Sequence, residues 1–195
     1  MPMTSTDNPG SQNSLPYYYH YTTSESYYLN TGSQAYTSMD ATDVRKTSLN
    51  LNAGNYFLSK WTDPTTHTNY APVIRYAEVI LNRAEAIVRA GGSVTQAAVD
   101  LLNAVRTRSF ATGAYTLASF ATAADFYNAV LLERDIEFLG EGIRNMDLMR
   151  LSLTIPGKNG GSMGNIIAIT PTSPSYIWPI PANEMTFNKL MTPNE

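Results

Sequence analysis

Apolar positions recur at steps of three and four along only part of this chain. In APVIRYAEVILNRAEAIVRAGG, residues 71–92, Tyr76, Val79, Ile80, Ala84, Ile87 and Val88 fall on one stripe, which predicts an amphipathic helix. Pro72 suits its first turn, and Gly91-Gly92 supplies a stop. SVTQAAVDLLNAVRTRS follows at once, with Ser93 or Thr95 as N-cap and Ala98, Leu101, Leu102 and Val105 as its apolar face. A third helix is predicted from about Thr122 to Leu139, with Phe126, Val130, Leu131 and Phe138 inward. Gly140 and Gly142 interrupt it, and Asn145–Leu151 forms a short fourth helix.

Residues 1–71 have no such period. They are polar and broken by Pro9, Gly10, Pro16, Gly32, Gly54 and Pro64, which reads as irregular chain. TSLNLNAG (47–54) and FLSKW (57–61) are candidate short strands. A loop-rich segment of this kind holds its shape only against another surface. The expected organisation is therefore an irregular, Tyr-rich lobe over 1–71 packed on a helical region over 72–195 with a Pro/Gly-rich tail. In that tail, IPGKNGGSMGN reads as a loop, and WPIPANE as a rigid extended entry to a short helical turn. The tight turn at Gly91-Gly92 makes the first two helices antiparallel neighbours. Ala84, Gly91 and Ala97 or Ala98 are small where they approach, so the pair resembles a tetratricopeptide-type hairpin. The fold class expected is mainly α, with minor short strands.

Charge narrows the function. Charged residues are 15% of the 195 and the net charge is −3, without blocks, so no basic face for nucleic acid is expected. The absence of cysteine excludes disulfides and thiolate chemistry. No apolar run reaches the 18 or so residues of a membrane-spanning helix. Met1–Asn13 lacks the basic and apolar regions of a signal peptide, so an exported form would need a further targeting segment.

The densest charge lies in ERDIEFLGEGIRNMDLMRL, residues 133–151. Glu133, Glu137 and Glu141 are four apart, and paired carboxylates are what glycoside hydrolysis uses. A glycosidase needs them on opposite sides of a sugar, however, whereas adjacent turns of one helix point them the same way. From Arg75 to Arg150 the cations are all arginine, the residue suited to planar clamps on buried carboxylates. The favoured reading is a structural clamp built from Arg75, Glu85, Glu133, Arg134, Glu137, Glu141, Arg144 and Asp147. Arg75 can pair with Glu78 on one helix face. Arg83 and Glu85 point apart and are expected to find partners on other helices, while Arg106 and Arg108 can reach the Glu133 row.

RYAEVILNRAEA, LLNAVRTR, LLERDIEFLGEGIRNMDLMR and WPIPANE, in this order, with DVR at 43–45 and KWTD at 60–63, resemble the C-terminal portion of the SusD/RagB family. That resemblance implies a scaffold of tetratricopeptide-like hairpins crossed by long irregular loops. It also implies non-catalytic capture of a nutrient, mostly glycan, at the outer-membrane surface of Bacteroidetes. The implied partners are a SusC-like TonB-dependent transporter and an oligosaccharide or other nutrient. Family members are more than twice this length and carry a lipid anchor, so a fragment without its anchor is expected, with the ligand site partial or absent. The alternatives are a helical protein-contact scaffold without a ligand site, or a glycosidase using Glu133 or Glu137.

Candidate ligand contacts come from the aromatics, because sugars stack on rings. Tyrosines number 13, and Tyr17, Tyr18, Tyr19, Tyr21, Tyr27, Tyr28, Tyr36 and Trp61 crowd the irregular lobe. Tyr27, Tyr28, Tyr36 and Trp61 are the chosen candidates, against the plainer reading that the rings pack the lobe onto the helices. His20 and His67 lack ligand-spaced companions, so no metal site is expected. NGGSMG (159–164) lacks the lysine of a phosphate loop. No cofactor is implied, and Met146, Met149 and Met163 are expected to fill core gaps.

Overall fold

The computed structural model describes residues 15–20, 27–159 and 165–193. The chain forms two compact units, 1–144 and 145–195. This division does not fall at residue 71, where the composition changes. The reason is physical: side chains from the irregular segment are built into the helices that follow it.

In the first unit, short elements come before long ones. These are α1 (Leu15–Tyr19), α2 (Gln34–Thr37), a 3-10 turn over Val44–Ser48, and the hairpin β1 (Leu49–Asn52)–β2 (Asn55–Leu58), with Leu49 opposite Leu58. The two strands are shorter than the stretches predicted for them, and α1, α2 and the 3-10 turn were not predicted. Ser33 caps α2, and Asp43 caps the 3-10 turn by accepting from Arg45 N. Local capping of this kind leaves no apolar period to read.

Three long helices follow: α3 (Tyr76–Gly91), α4 (Gln96–Arg106) and α5 (Ala123–Glu137). Thr95 caps α4, and Thr122 with Asp125 forms a capping box on α5. Gly92 takes the left-handed conformation, φ 71°, that ends α3. Leu81, Ala84 and Val88 of α3 meet Ala98, Val99, Leu102 and Val105 of α4 and Phe126 and Val130 of α5, with Phe138 beyond it. Each such burial is worth roughly 1.5–3 kcal/mol for the larger side chains. A smaller cluster places Ala35 and Met39 against Ile136.

The structure moves two features of α3. The helix begins at Tyr76, not near Pro72, because Arg75 is extended (φ −118°) and its side chain crosses to α5. Its buried stripe is Ala77, Leu81, Ala84 and Val88, whereas Tyr76 and Val79 are 77% and 48% exposed. Ala77 and Ala84 allow the close approach, Leu81 and Val88 fill the core beside them, and Ile80 and Ile87 pack at its edge. On α5, Leu131 is half-buried and Ile136 takes a core position.

Helix α6 (Ile143–Arg150) leads into the second unit. There β3 (Lys158–Asn159) pairs with β4 (Asn165–Ile166), and α7 spans Ala182–Phe187 after the WPIP segment. The buried Tyr176 hydroxyl donates to the carbonyls of Leu148 and Leu153 at 3.2 and 2.8 Å. Met146 is 61% exposed and fills no core gap, because α6 turns that position to solvent. Met163, most of the NGGSMG loop and Tyr21 lie outside the described residues. Among the described residues, no helix is long and apolar enough to cross a membrane.

Candidate functional site

The carboxylates of α5, and Glu141 just past its end, meet cations from four other places: the 3-10 turn, the chain after β2, the start of α3 and the end of α4. Asp43 holds Arg45 by Nε and Nη2, at 3.0 and 2.7 Å. This leaves Arg45 Nη1 pointing at α5, where it lies 2.6 Å from Glu133 and 3.3 Å from Glu137. Arg106, at the end of α4, donates to the other oxygen of Glu133 at 2.9 Å. Arg108 reaches Glu137 at 2.6 Å. Arg75 spans Glu137 (2.8 Å) and Glu141 (2.9 Å), and its Nη2 also donates to the Glu137 carbonyl. Lys60 donates to Glu141 at 2.7 Å and to the same carbonyl at 3.1 Å.

The glutamates are deeply buried: the Glu133 side chain is fully covered and that of Glu137 is 3% exposed. Burial alone would raise the pKa of Glu137. Hydrogen bonds from Arg75 and Arg108 outweigh it and hold this carboxyl below the usual range. Asp43 is likewise held low, with Arg45 overcoming its burial. Burial would lower the pKa of Arg45 and Arg75, but their carboxylate partners raise both. A carboxyl kept ionised is a poor proton donor near neutral pH. Glu133 and Glu137 also share one guanidinium on the same side of α5, which leaves no gap between them for a sugar. The arrangement suits holding elements together far better than proton transfer.

Of the eight residues proposed as a clamp, Arg75, Glu133, Glu137 and Glu141 converge here. The other four do not. Arg134 is buried beside Asn82 (2.6 Å) and lies 3.9 Å from Glu78. Glu85 accepts from Arg89 one turn along its own helix at 2.6 Å. Arg144 pairs with Asp135 at 3.4 Å, and Asp147 with Arg150 at 2.9 Å. Arg75 does not pair with Glu78, because its extended backbone turns it away from its own helix. Asp43, Arg45 and Lys60 were missed as members. The available signal was the pair of short stretches DVR and KWTD, but no local spacing rule links Arg45 to residues 88 and 92 positions away.

Aromatic rings gather elsewhere in this unit. Trp61 is only 3% exposed and stacks on Tyr19, centroids 5.0 Å apart. It therefore offers no ring face to a ligand, contrary to the candidate role given it above. Gly140 sits against it at φ +77°, where an added Cβ would come within 2.3 Å of Leu58 and 3.1 Å of Trp61. Tyr27 and Tyr28 are 55% and 42% exposed. Tyr27 stacks on Tyr18 at 5.5 Å, and Tyr28 meets Phe57 edge-on at 6.2 Å. Tyr36 is half-buried beside Tyr56, with Lys46 over its ring at 5.7 Å. His67 is buried and lies edge-on to Tyr17. Among the described residues, no three His, Asp or Glu side chains are grouped to hold a metal ion.

The sequence profile of the SusD family matches residues 6–195. The chain belongs to the SusD family. A SusD superfamily protein from Bacteroides fragilis is 33% identical, superposes with a TM-score of 0.77 and is matched over 96% of this chain and 43% of its own. One from Bacteroides vulgatus is 27% identical, with a TM-score of 0.73 and coverage of 96% and 43%. A SusD-like carbohydrate binding protein from Bacteroides vulgatus is 20% identical and shares the fold, with a TM-score of 0.72 and coverage of 96% and 46%. This chain thus spans less than half the length of these SusD relatives. No functionally curated protein matches it. The mainly helical architecture, with few and short strands, is the fold these relatives share.

Proposed function

We propose that this chain is part of a non-catalytic glycan-binding protein at the outer-membrane surface, working beside a SusC-like TonB-dependent transporter. One observation carries the reading. The carboxylates that could do chemistry are buried and engaged by arginine or lysine, while Tyr27 and Tyr28 keep ring surface open to solvent. Stacking on such rings captures a sugar without turning it over. Family membership and the shared fold with a carbohydrate-binding relative support it. A lipid anchor on a longer chain would provide the surface location.

Calorimetry against a panel of oligosaccharides and peptides tests the proposal. Binding without product formation is expected, and Tyr27→Ala or Tyr28→Ala should each weaken it roughly 2- to 10-fold, the worth of about 0.5–1.5 kcal/mol of ring contact. Hydrolysis that disappears in Glu133→Gln or Glu137→Gln, with the fold intact, would replace this reading with the glycosidase.

A second reading, a helical scaffold for protein contact alone, is favoured by the exposed row Val73, Ile74, Tyr76 and Val79, 91%, 73%, 77% and 48% exposed. Co-purification with the transporter, together with silence across the panel, would select it.

A further inference from the structure

A cleft of about 380 Å³ opens over the ion cluster of the first unit. Its charged lining is Arg45, Lys60, Arg75 and Arg108 against Glu137 and Glu141, four cations to two carboxylates. Beneath them, Asp43 and Glu133 are balanced partly by Arg106. The whole cluster keeps a cation in excess, in a chain whose net charge is −3. Positive charge is therefore concentrated where the rest of the molecule is acidic.

The excess is not uniformly buried. Arg45 is covered and all of its reach goes to Asp43, Glu133 and Glu137. Arg108 is different. Its side chain is 55% exposed, and the bond to Glu137 uses only Nη2. Lys60, 27% exposed, makes two bonds with an ammonium that carries three donors. Both groups line the cleft and keep N–H groups not used in these bonds. The rest of the lining includes the exposed Val44, with Met39, Ile136 and Leu139 packed beneath it. The segment 36–48 also ties the cleft to the aromatic array: Met39, Val44, Arg45 and Ser48 line the cleft, while Tyr36 and Lys46 pair outside it.

We infer that this cleft takes the acidic group of an anionic glycan, a uronate carboxylate or a sulfate ester, on the free N–H groups of Arg108 and Lys60. The inference rests on the glycan-binding reading and narrows its substrate class. A guanidinium with a free edge suits a planar carboxylate in two parallel bonds, and it suits sulfate nearly as well. Glu137 and Glu141 do not bar such a group, because each is already neutralised by two or more cations.

The test is calorimetry with three arms: a neutral oligosaccharide, an oligogalacturonate and a sulfated oligosaccharide, at low and moderate salt. An acidic glycan should bind at least ten-fold tighter than the neutral one, with the gap narrowing as salt rises. Arg108→Gln should remove most of that gap, Arg108→Lys should restore part of it, and Arg83→Gln, on the exposed face of α3, should leave it intact. Whichever acidic arm shows the Arg108-dependent gap names the source of the anion. Equal affinity for neutral and acidic glycans would overturn this inference and leave the glycan-binding reading standing. Preference for acid that Arg108→Gln and Arg83→Gln diminish alike would overturn it as diffuse charge attraction. Silence in all three arms would remove the underlying reading as well.

Discussion

The ion cluster on α5 and the aromatic array of Tyr18, Tyr27 and Tyr28 are both dense groups of side chains that could serve a ligand. They differ in what is left over. Each buried glutamate meets more than one cation, so removing one partner strands a charge. Tyr27 and Tyr28 stay 55% and 42% exposed, and losing either ring strands no charge. The lesson is that residue type does not mark function here. On the reading proposed, what marks a ligand site is unspent valence, whether it is a ring face or an N–H that has found no acceptor.

The largest expected effects probe the spent side. Glu133→Gln leaves Arg45 and Arg106 facing a neutral amide inside the protein, and should destabilise the fold by about 3–5 kcal/mol. Phe126→Ala, in the apolar core between α3, α4 and α5, should cost a similar ~3–5 kcal/mol. Urea unfolding measures both. A loss under about 1 kcal/mol at Glu133 would show that the cluster does not hold the irregular segment to the helices.

Acid should separate a loss in the ion cluster from a loss in the apolar core. Glu137 and Asp43 have folded-state pKa values below their ordinary 4.5 and 3.8. A depressed carboxyl contributes stability that is complete above its unfolded value and is lost as pH falls through its folded one. Midpoints of urea unfolding should therefore decline as pH drops below about 4.5. The decline should be equally steep in Phe126→Ala and shallower in Glu137→Gln. An unchanged slope in Glu137→Gln would mean that other carboxylates govern acid unfolding.

These contrasts also explain what could be read in advance. The three long helices were legible because their apolar stripes recur over many turns, and Thr95 and Thr122 mark their starts. The stripe of α3 was placed only in part: Ala84 and Val88 are buried and Ile80 and Ile87 pack against the core as expected, but the exposed Tyr76 and Val79 were included and the buried Ala77 and Leu81 left out. The Glu133 row was legible as a set of partnered acids, and Arg106 and Arg108 lay close enough in sequence to assign to it. Arg45 and Lys60 were not, since ion pairs across some 80–90 residues leave no periodic trace. Trp61 looked like a ligand ring because exposure cannot be read from composition, and Gly140 gave no sign of its role until Leu58 and Trp61 were seen packed against it.

Gly140 offers a smaller effect that sharpens the boundary between the two regions. Its positive φ and the 2.3 Å approach of a Cβ to Leu58 mean that Gly140→Ala must shift the hairpin end and the Trp61 ring together. A cost of about 1–3 kcal/mol is expected by thermal or urea unfolding. Near-ultraviolet dichroism should report the altered Trp61–Tyr19 stack, while dichroism of the exposed tyrosines stays as it was.

The smallest effect belongs to Tyr27→Ala, and it carries the comparison furthest. The residue is 55% exposed and its ring touches Tyr18 and Tyr19, and the bond from Tyr27 N to the Tyr18 carbonyl belongs to the backbone and survives the substitution. Stability should change by about 0.5 kcal/mol or less. If Tyr27→Ala instead costs as much as Glu133→Gln, the tyrosines are structural packing like Trp61, and the array loses its claim on a ligand. If stability holds while glycan affinity falls, the ring is held in place by its neighbours and serves something outside the fold.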